Sequence, residues 1–262
     1  MKPLSNEIMK VKAPSIFASE PFYDVSDKYA FIPTINVIDV LRDNGWYPIE
    51  VMQNNVRIDE KRGYQKHLIR FRNMHNLLSK QENIPEIVLT NSHDKTSSFV
   101  LMVGVFRFVC SNGLIVADSM FENYKIKHLG YQSIEVEEAI KKIVAFIPKL
   151  ETKLSTYKSI TLNEQEQLMF ARSAKEIRFE EYQEIDYHTM LQPRRKGDEN
   201  NDLYTIFNRI EESCIRGGVR GKNLISDRNF TSKPITSIAK LVEINKKLFD
   251  LTDKIAQIKL SA

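Results

Sequence analysis

The chain has 262 residues, 42% of them hydrophobic and 27% charged, enough for one large domain or two small ones with a substantial core. No run of about 18 apolar residues exists, which argues against a transmembrane helix, and Met1–Lys10 has no apolar stretch of the kind a secretory signal needs. The two cysteines, Cys110 and Cys214, read as small buried hydrophobes rather than a disulfide or metal pair, so a cytoplasmic protein is expected.

The net charge of +4 is unevenly spread. Residues 53–80 hold seven Lys or Arg against Asp59 and Glu60, and residues 216–233 hold five against Asp227, leaving the rest of the chain at −5. Two concentrated cationic stretches are the footprint of a polyanion-binding face; the competing reading is ordinary solvated surface.

In chain order, residues 1–27 hold Pro3, Pro14 and Pro21 without a clear period and read as a loosely structured arm. Lys28–Thr34 reads as a short extended segment, with Thr34 the N-cap of a helix over Ile35–Asn44 that Asn44-Gly45 ends. Strands are expected at Trp46–Asn54 and Tyr64–Phe71, joined by the polar loop Asn55–Gly63. Alternation in the second strand puts Lys66, Leu68, Arg70 and Arg72 on one face and His67, Ile69 and Phe71 on the other. Side chains two residues apart on a strand stand roughly 7 Å apart, close to the phosphate spacing of an extended nucleic-acid strand. A solvated edge strand protected by Lys and Arg is the plainer alternative.

Residues 85–117 form the centre of the expected sheet. The β-branched segments Glu86–Thr90 and Phe99–Val109 flank the polar turn Asn91–Ser98, and Leu114–Ala117 follows the turn Ser111-Asn112-Gly113. Glu122–His128 reads as a further strand. Helical spacing then predicts Ile134–Tyr157, with a kink near Pro148, followed by Asn163–Arg178, Asp202–Arg216 and Ile235–Ile258. Between them lie a polar basic loop, Asp186–Asn201, and a Gly/Arg/Lys loop, Val219–Lys233.

Strands followed by helices predict an α+β fold: an antiparallel strand meander in the N-terminal half packed against a long helix, with a mostly helical C-terminal half. The expected organisation is a single domain over 1–262, made of the arm, a sheet-forming half at 28–130 and a helical half at 131–262.

Several motifs carry a resemblance. Tyr29-Ala-Phe-Ile-Pro-Thr34, Pro85-Glu-Ile-Val-Leu-Thr-Asn-Ser-His-Asp94, Thr96-Ser-Ser98, Gly104-Val-Phe-Arg107 and Val109-Cys-Ser-Asn-Gly-Leu114 occur in that order. Pro193-Arg-Arg195, Asn201-Asp-Leu203 and Gly217-Gly218 follow. With these motifs nearly the whole chain resembles a family of phage- and plasmid-borne bacterial proteins known as domain of unknown function 932. The resemblance implies an accessory gene of a mobile element, with a DNA-related or anti-defence role by association.

Enzymatic chemistry finds little footing. Asn91-Ser-His-Asp94 is the most enzyme-like cluster, and His93 with Asp94 are the weak candidates for a divalent metal at a scissile phosphate. A second carboxylate from Glu86 or Asp118 is conceivable, and the plainer reading is that the four polar residues hydrogen-bond the turn. Ser92, Ser97 and Ser111 lack a nucleophile context, Cys110 lacks a group to lower its pKa, and Gly217-Gly-Val-Arg-Gly221 is no phosphate cradle. No catalytic residue, cofactor or metal is assigned.

The basic elements are better founded. Arg57, Lys61, Arg62, Lys66, Arg70 and Arg72 come from one strand-loop-strand unit, Arg194, Arg195 and Lys196 from one loop, and Arg216, Arg220, Lys222 and Arg228 from another. Arginine suits phosphate because its planar fork bonds two oxygens at once. The leading expectation is a non-enzymatic protein of a phage or plasmid that binds nucleic acid, with single-stranded DNA annealing or recombination as its setting. A strand meander backed by a long helix is also the layout of phage single-strand annealing proteins, a fold-level analogy. Arg62, Lys66, Arg70, Arg72, Arg194, Arg195, Arg216, Arg220 and Lys222 are the expected nucleic-acid contacts, with Tyr64 and Phe71 as stacking faces. The alternatives are an anti-defence protein that binds a host immunity protein, and a divalent-metal nuclease using His93 and Asp94. Self-association into a homo-oligomer is a further partner reading; a membrane is not.

Overall fold

The computed structural model describes residues 2–24, 31–56, 58–79, 81–107, 112–116, 124–126 and 133–261. The α+β class holds: the strands of the main sheet precede the long helices. The chain gathers into two compact units, Met1–Ile147 and Pro148–Ala262, with the boundary inside one long helix.

The first unit is built on a six-stranded antiparallel sheet. Strands β1 (Trp46–Gln53), β2 (His67–Asn73), β3 (Asn83–Asn91), β4 (Phe99–Arg107) and β5 (Asn112–Val116) follow one another as a meander, and β6 (Tyr124–Ile126) pairs with β4. Residues 108–111, with Cys110 and Ser111, together with Asp118 and the flanks of the predicted strand 122–128, lie outside the described residues, as do Arg57 and residues 28–30 of the predicted segment 28–34. The register places Arg72 opposite Glu86 and His67 opposite Asn91 across β2 and β3, and Glu50 and Gln53 opposite Arg70 and His67 across β1 and β2. Residues directly opposite share a face. One face therefore carries Glu50, Arg70, Arg72 and Glu86, and the other the row Gln53, His67 and Asn91.

The N-terminal arm is a correction. Residues 1–27 contain helix α1 (Asn6–Lys12) and a 3-10 turn at Pro14–Phe17. Ser5 caps α1 by accepting the Ile8 N–H, and Met9, Ala13 and Ile16 are fully buried. A few isolated apolar side chains hold the arm in place, and they are too sparse to set up a period in the sequence. Helix α2 (Thr34–Asp43) follows and buries Val37, Ile38 and Leu41, with Gly45 at φ +79 beyond its end. Thr34 is not its N-cap; Pro33 occupies that position, and the Thr34 hydroxyl turns inward.

Helix α3 (Ser133–Ser159) crosses the boundary between the units. The second unit then packs α4 (Glu164–Arg178), α5 (Tyr187–Leu191), α6 (Leu203–Arg216) and α7 (Ile238–Ser261) around Phe170, Leu203, Ile206, Phe207, Ile210, Leu248 and Phe249. A capping box opens α4: Asn163 accepts from the Glu166 N–H and Glu166 accepts from the Asn163 N–H. Within the predicted loops lies a second antiparallel sheet, β7 (Gln183–Ile185), β8 (Arg220–Asn223) and β9 (Arg228–Thr231), in that order. Among the described residues no helix is long and apolar enough to cross a membrane.

Candidate nucleic-acid interface

The two cationic stretches meet different fates. In the first unit, Arg70 and Arg72 do not line a phosphate track. Glu86, 1% exposed, takes Arg70 Nε at 2.7 Å and Arg72 Nη2 at 2.7 Å, and Glu50 also reaches Arg70. Burial works against the Arg70 charge, but the two carboxylates outweigh it and hold its pKa above the ordinary value. Arg72 is 2% exposed and Phe71 fully buried, so neither meets a solvent-borne ligand. The physical reason is the antiparallel register, which sets a carboxylate beside each guanidinium. Arg62 is exposed but holds Asp59 at 2.7 Å, Lys66 is half-buried with its pKa lowered by that burial, and Tyr64 packs edge-on against Phe22 at 5.4 Å.

The Asn91–Asp94 turn lies inside the protein. The Thr34 hydroxyl sits 2.9 Å from His67 Nε2, 3.3 Å from His93 Nε2 and 3.0 Å from Asn91 Nδ2. His67 Nδ1 lies 2.9 Å from the Ser15 hydroxyl and 3.2 Å from the Gln65 carbonyl; because the carbonyl can only accept, a proton on Nδ1 serves it and leaves Nε2 to accept from Thr34. Thr34 in turn accepts from Asn91 and from His93. Desolvation, and then the proximity of His93, push the His67 pKa down to about 3. Asp94 accepts from the Thr96 hydroxyl at 2.5 Å and stands 3.6 Å from Lys61. Among the described residues no three His, Cys, Asp or Glu side chains gather as metal ligands. The cluster ties the arm and α2 to the end of the sheet.

The second stretch builds a surface. Arg194, Arg220 and His188 line a groove of about 820 Å³ together with Asp186, Gln192 and Gly218. Arg194 donates to the Gly217 carbonyl at 2.5 Å, and a Cβ on Gly218 would meet its guanidinium at 3.2 Å. That glycine, at φ +87, leaves the space the arginine occupies. The hydroxyl of Thr189, donating at 2.5 Å, is the main reason the Asp186 carboxyl titrates below its usual range, so it stays ionised in the groove.

Arg220 and Asp186 continue into a second groove of about 570 Å³ along one face of the small sheet, with Glu184, Lys222, Asn229 and Thr231. A third, about 320 Å³, is lined by Arg178, Arg228 and Lys233 and shares Asn229, Phe230 and Thr231 with the second. The alternation of β8 and β9 sends Arg220 and Lys222 to one face and Arg228 and Phe230 to the other. Lys222 is tied to Asp227 at 2.6 Å, whereas Arg220 and Arg228 form no ion pair among the described residues.

Besides Lys222, two more predicted contacts in this unit are neutralised. Arg195 lies 2.5 Å from Glu212 and 3.7 Å from Asp198, and Arg216 lies 3.8 Å from the same Glu212. Buried Arg209 holds the loop behind them through the Asp198 and Asn200 carbonyls. Sequence reasoning picks out Arg228 without placing it at a site and passes over Arg178 and Phe230. The alternation Arg228-Asn-Phe230 in a short strand is the signal available for two of them.

A family profile described as Domain of unknown function (DUF932) matches residues 21–246. Two proteins of Escherichia coli (strain K12), UPF0380 protein YfjQ and UPF0380 protein YafZ, are each 34% identical to the chain over 253 residues, covering 96% of it and 91% of their own lengths. No solved structure gives a significant match. A profile match over most of the chain, together with relatives that align almost end to end, means that the chain belongs to the DUF932 family.

Proposed function

We propose that this protein binds single-stranded nucleic acid in the cytoplasm, as an accessory protein of a mobile element, through the grooves around β7, β8 and β9. The observation that carries the reading is the convergence of Arg194, from a loop, and Arg220, from β8, on one open groove that runs on along the sheet to Lys222. Around the small sheet Arg178, Arg194, Arg220, Lys222, Arg228 and Lys233 stand against Glu184, Asp186 and Asp227, an excess of positive charge beside the aromatic face of Phe230. Guanidinium groups for phosphate and an aromatic ring for a base are the two parts that single-strand recognition uses.

The test is a fluorescence-anisotropy titration of a labelled single-stranded oligonucleotide at a series of salt concentrations. Binding should weaken steeply with salt, and Arg220→Ala with Arg228→Ala should flatten the log–log slope by about 0.7 for each arginine–phosphate pairing removed. Absence of binding at low salt overturns the proposal, as does an unchanged slope in the double variant. A complex with a host immunity protein that survives nuclease treatment, with no oligonucleotide binding, would put the anti-defence reading in its place.

A further inference from the structure

The turn that joins β8 to β9 holds two aliphatic side chains in water. Leu224 is 56% exposed and Ile225 78% exposed, side by side at the tip. Turn chemistry favours polar residues here, and Asn223, Ser226 and Asp227 supply it, so the two aliphatics are the anomaly.

Their exposure is imposed by a tied backbone. Asn223 Oδ1 accepts from the Ile225 and Ser226 N–H groups at 3.0 Å each, and the Leu224 N–H donates to the Tyr182 carbonyl at 2.9 Å. Asp227 takes the left-handed conformation, φ 55, and closes the turn with an ion pair back to Lys222. Behind this tip come Lys222 and Arg220 on β8 and Arg228 on β9. The hairpin is thus a narrow apolar point with cationic flanks on both faces.

Resting on the nucleic-acid reading above, we propose that the hairpin is a wedge for the junction between single and double strand. Leu224 and Ile225 pack on the last base pair, and Arg220 and Arg228, one on each face of the hairpin, hold phosphates on either side. Leucine and isoleucine inserted at a base step are a recurring means of unstacking it. An apolar point two residues wide suits a base-pair face. A bilayer suits it poorly, because Asn223, Ser226 and the Asp227 carboxylate follow at once and would enter with it.

The experiment compares a fluorescein-labelled single strand, a blunt duplex and a tailed duplex of the same sequence, with 2-aminopurine in the junction pair of a second tailed duplex. The native protein should bind the tailed duplex roughly tenfold tighter than either other probe, the equivalent of one stacking interaction, and should raise the 2-aminopurine signal. Leu224→Ser with Ile225→Ser should remove that preference and that signal, leaving single-strand affinity and thermal stability unchanged. Should the double variant fail to fold, Ile225→Ser alone reads the same quantities. Single-strand binding without a junction preference overturns the wedge while leaving the broader reading intact, as does a double variant that keeps the preference. No binding to any probe overturns both. Co-sedimentation with anionic phosphatidylglycerol vesicles that depends on these two residues overturns the wedge in favour of a membrane contact.

Discussion

Glu86→Ala offers the sharpest test of how the sheet is held. The carboxylate has no solvent to fall back on, and its two oxygens take Arg70 Nε and Arg72 Nη2 at 2.7 Å, with Arg72 Nε at 3.3 Å. Arginine does not shed its proton, so removing Glu86 leaves two like-charged buried guanidinium groups side by side on one strand. Glu50 still serves Arg70, which concentrates the loss on Arg72. Stripping one partner from a buried ion pair costs about 3–5 kcal/mol, a large share of the roughly 5–15 kcal/mol that holds a typical domain together. At a urea dependence of about 2 kcal/mol per molar, the midpoint should fall by roughly 2 M. Trp46 is the chain's single tryptophan, lies on β1 of this sheet and is 4% exposed, so its fluorescence reports the transition directly. A midpoint shift below about 0.5 M, or about 1 kcal/mol, would refute the argument. Replacing Arg70, Arg72 and Glu86 together with apolar residues should recover much of the loss, because what costs is buried guanidinium charge deprived of the Glu86 carboxylate.

His67 gives a pH dependence. Its pKa is about 3 in the folded protein and near 6.5 when unfolded, so between those values only the unfolded chain takes up the proton. This contribution is intact above about pH 6.5 and is lost as pH falls, by about 1.4 kcal/mol per unit, until about pH 3. His67→Gln should flatten the dependence of the urea midpoint on pH between about 6 and 4; equal slopes in the two proteins would count against it. Gly217→Ala should cost about 3 kcal/mol or more. A Cβ there would lie 2.4 Å from the Ser232 carbonyl oxygen, and the residue sits at φ 76 and ψ −154, where side chains are not tolerated. Thermal unfolding followed by far-ultraviolet circular dichroism checks this, and a loss under about 1 kcal/mol would be inconsistent with it.

Much of the fold was legible because its elements are periodic and self-announcing. Alternation and β-branching marked β1 to β4, and the apolar spacing of α3, α4, α6 and α7 placed those helices within a few residues of their observed ends. Arg220-Gly-Lys-Asn223 and Arg228-Asn-Phe-Thr231 are poor strand formers by composition, and only their pairing with each other and with β7 makes them strands. The site was half legible for the same reason. Arg220 and Arg194 could be picked out by type, but their meeting at Gly218 is a tertiary fact. Arg70 and Arg72 read as surface because nothing local shows that Glu86 lies across from them. That knowledge resides in the register between two strands, and one residue of slip would send those arginines to the other face.

The same register has a corollary in the way β2 and β3 can be assembled. Sliding β3 by an odd number of residues exchanges its two faces, both buried and largely apolar, and carries Glu86 away from the arginines. Sliding it by two keeps the faces, and hydrophobicity alone would not object. What objects is polar: with Glu86 moved opposite Arg70, Arg72 faces Ile84 and the His67–Asn91 match at the other end of the strand is broken. Charged and amide groups at the two ends of one strand thus act as a two-point key, admitting a single alignment among those that oiliness would accept.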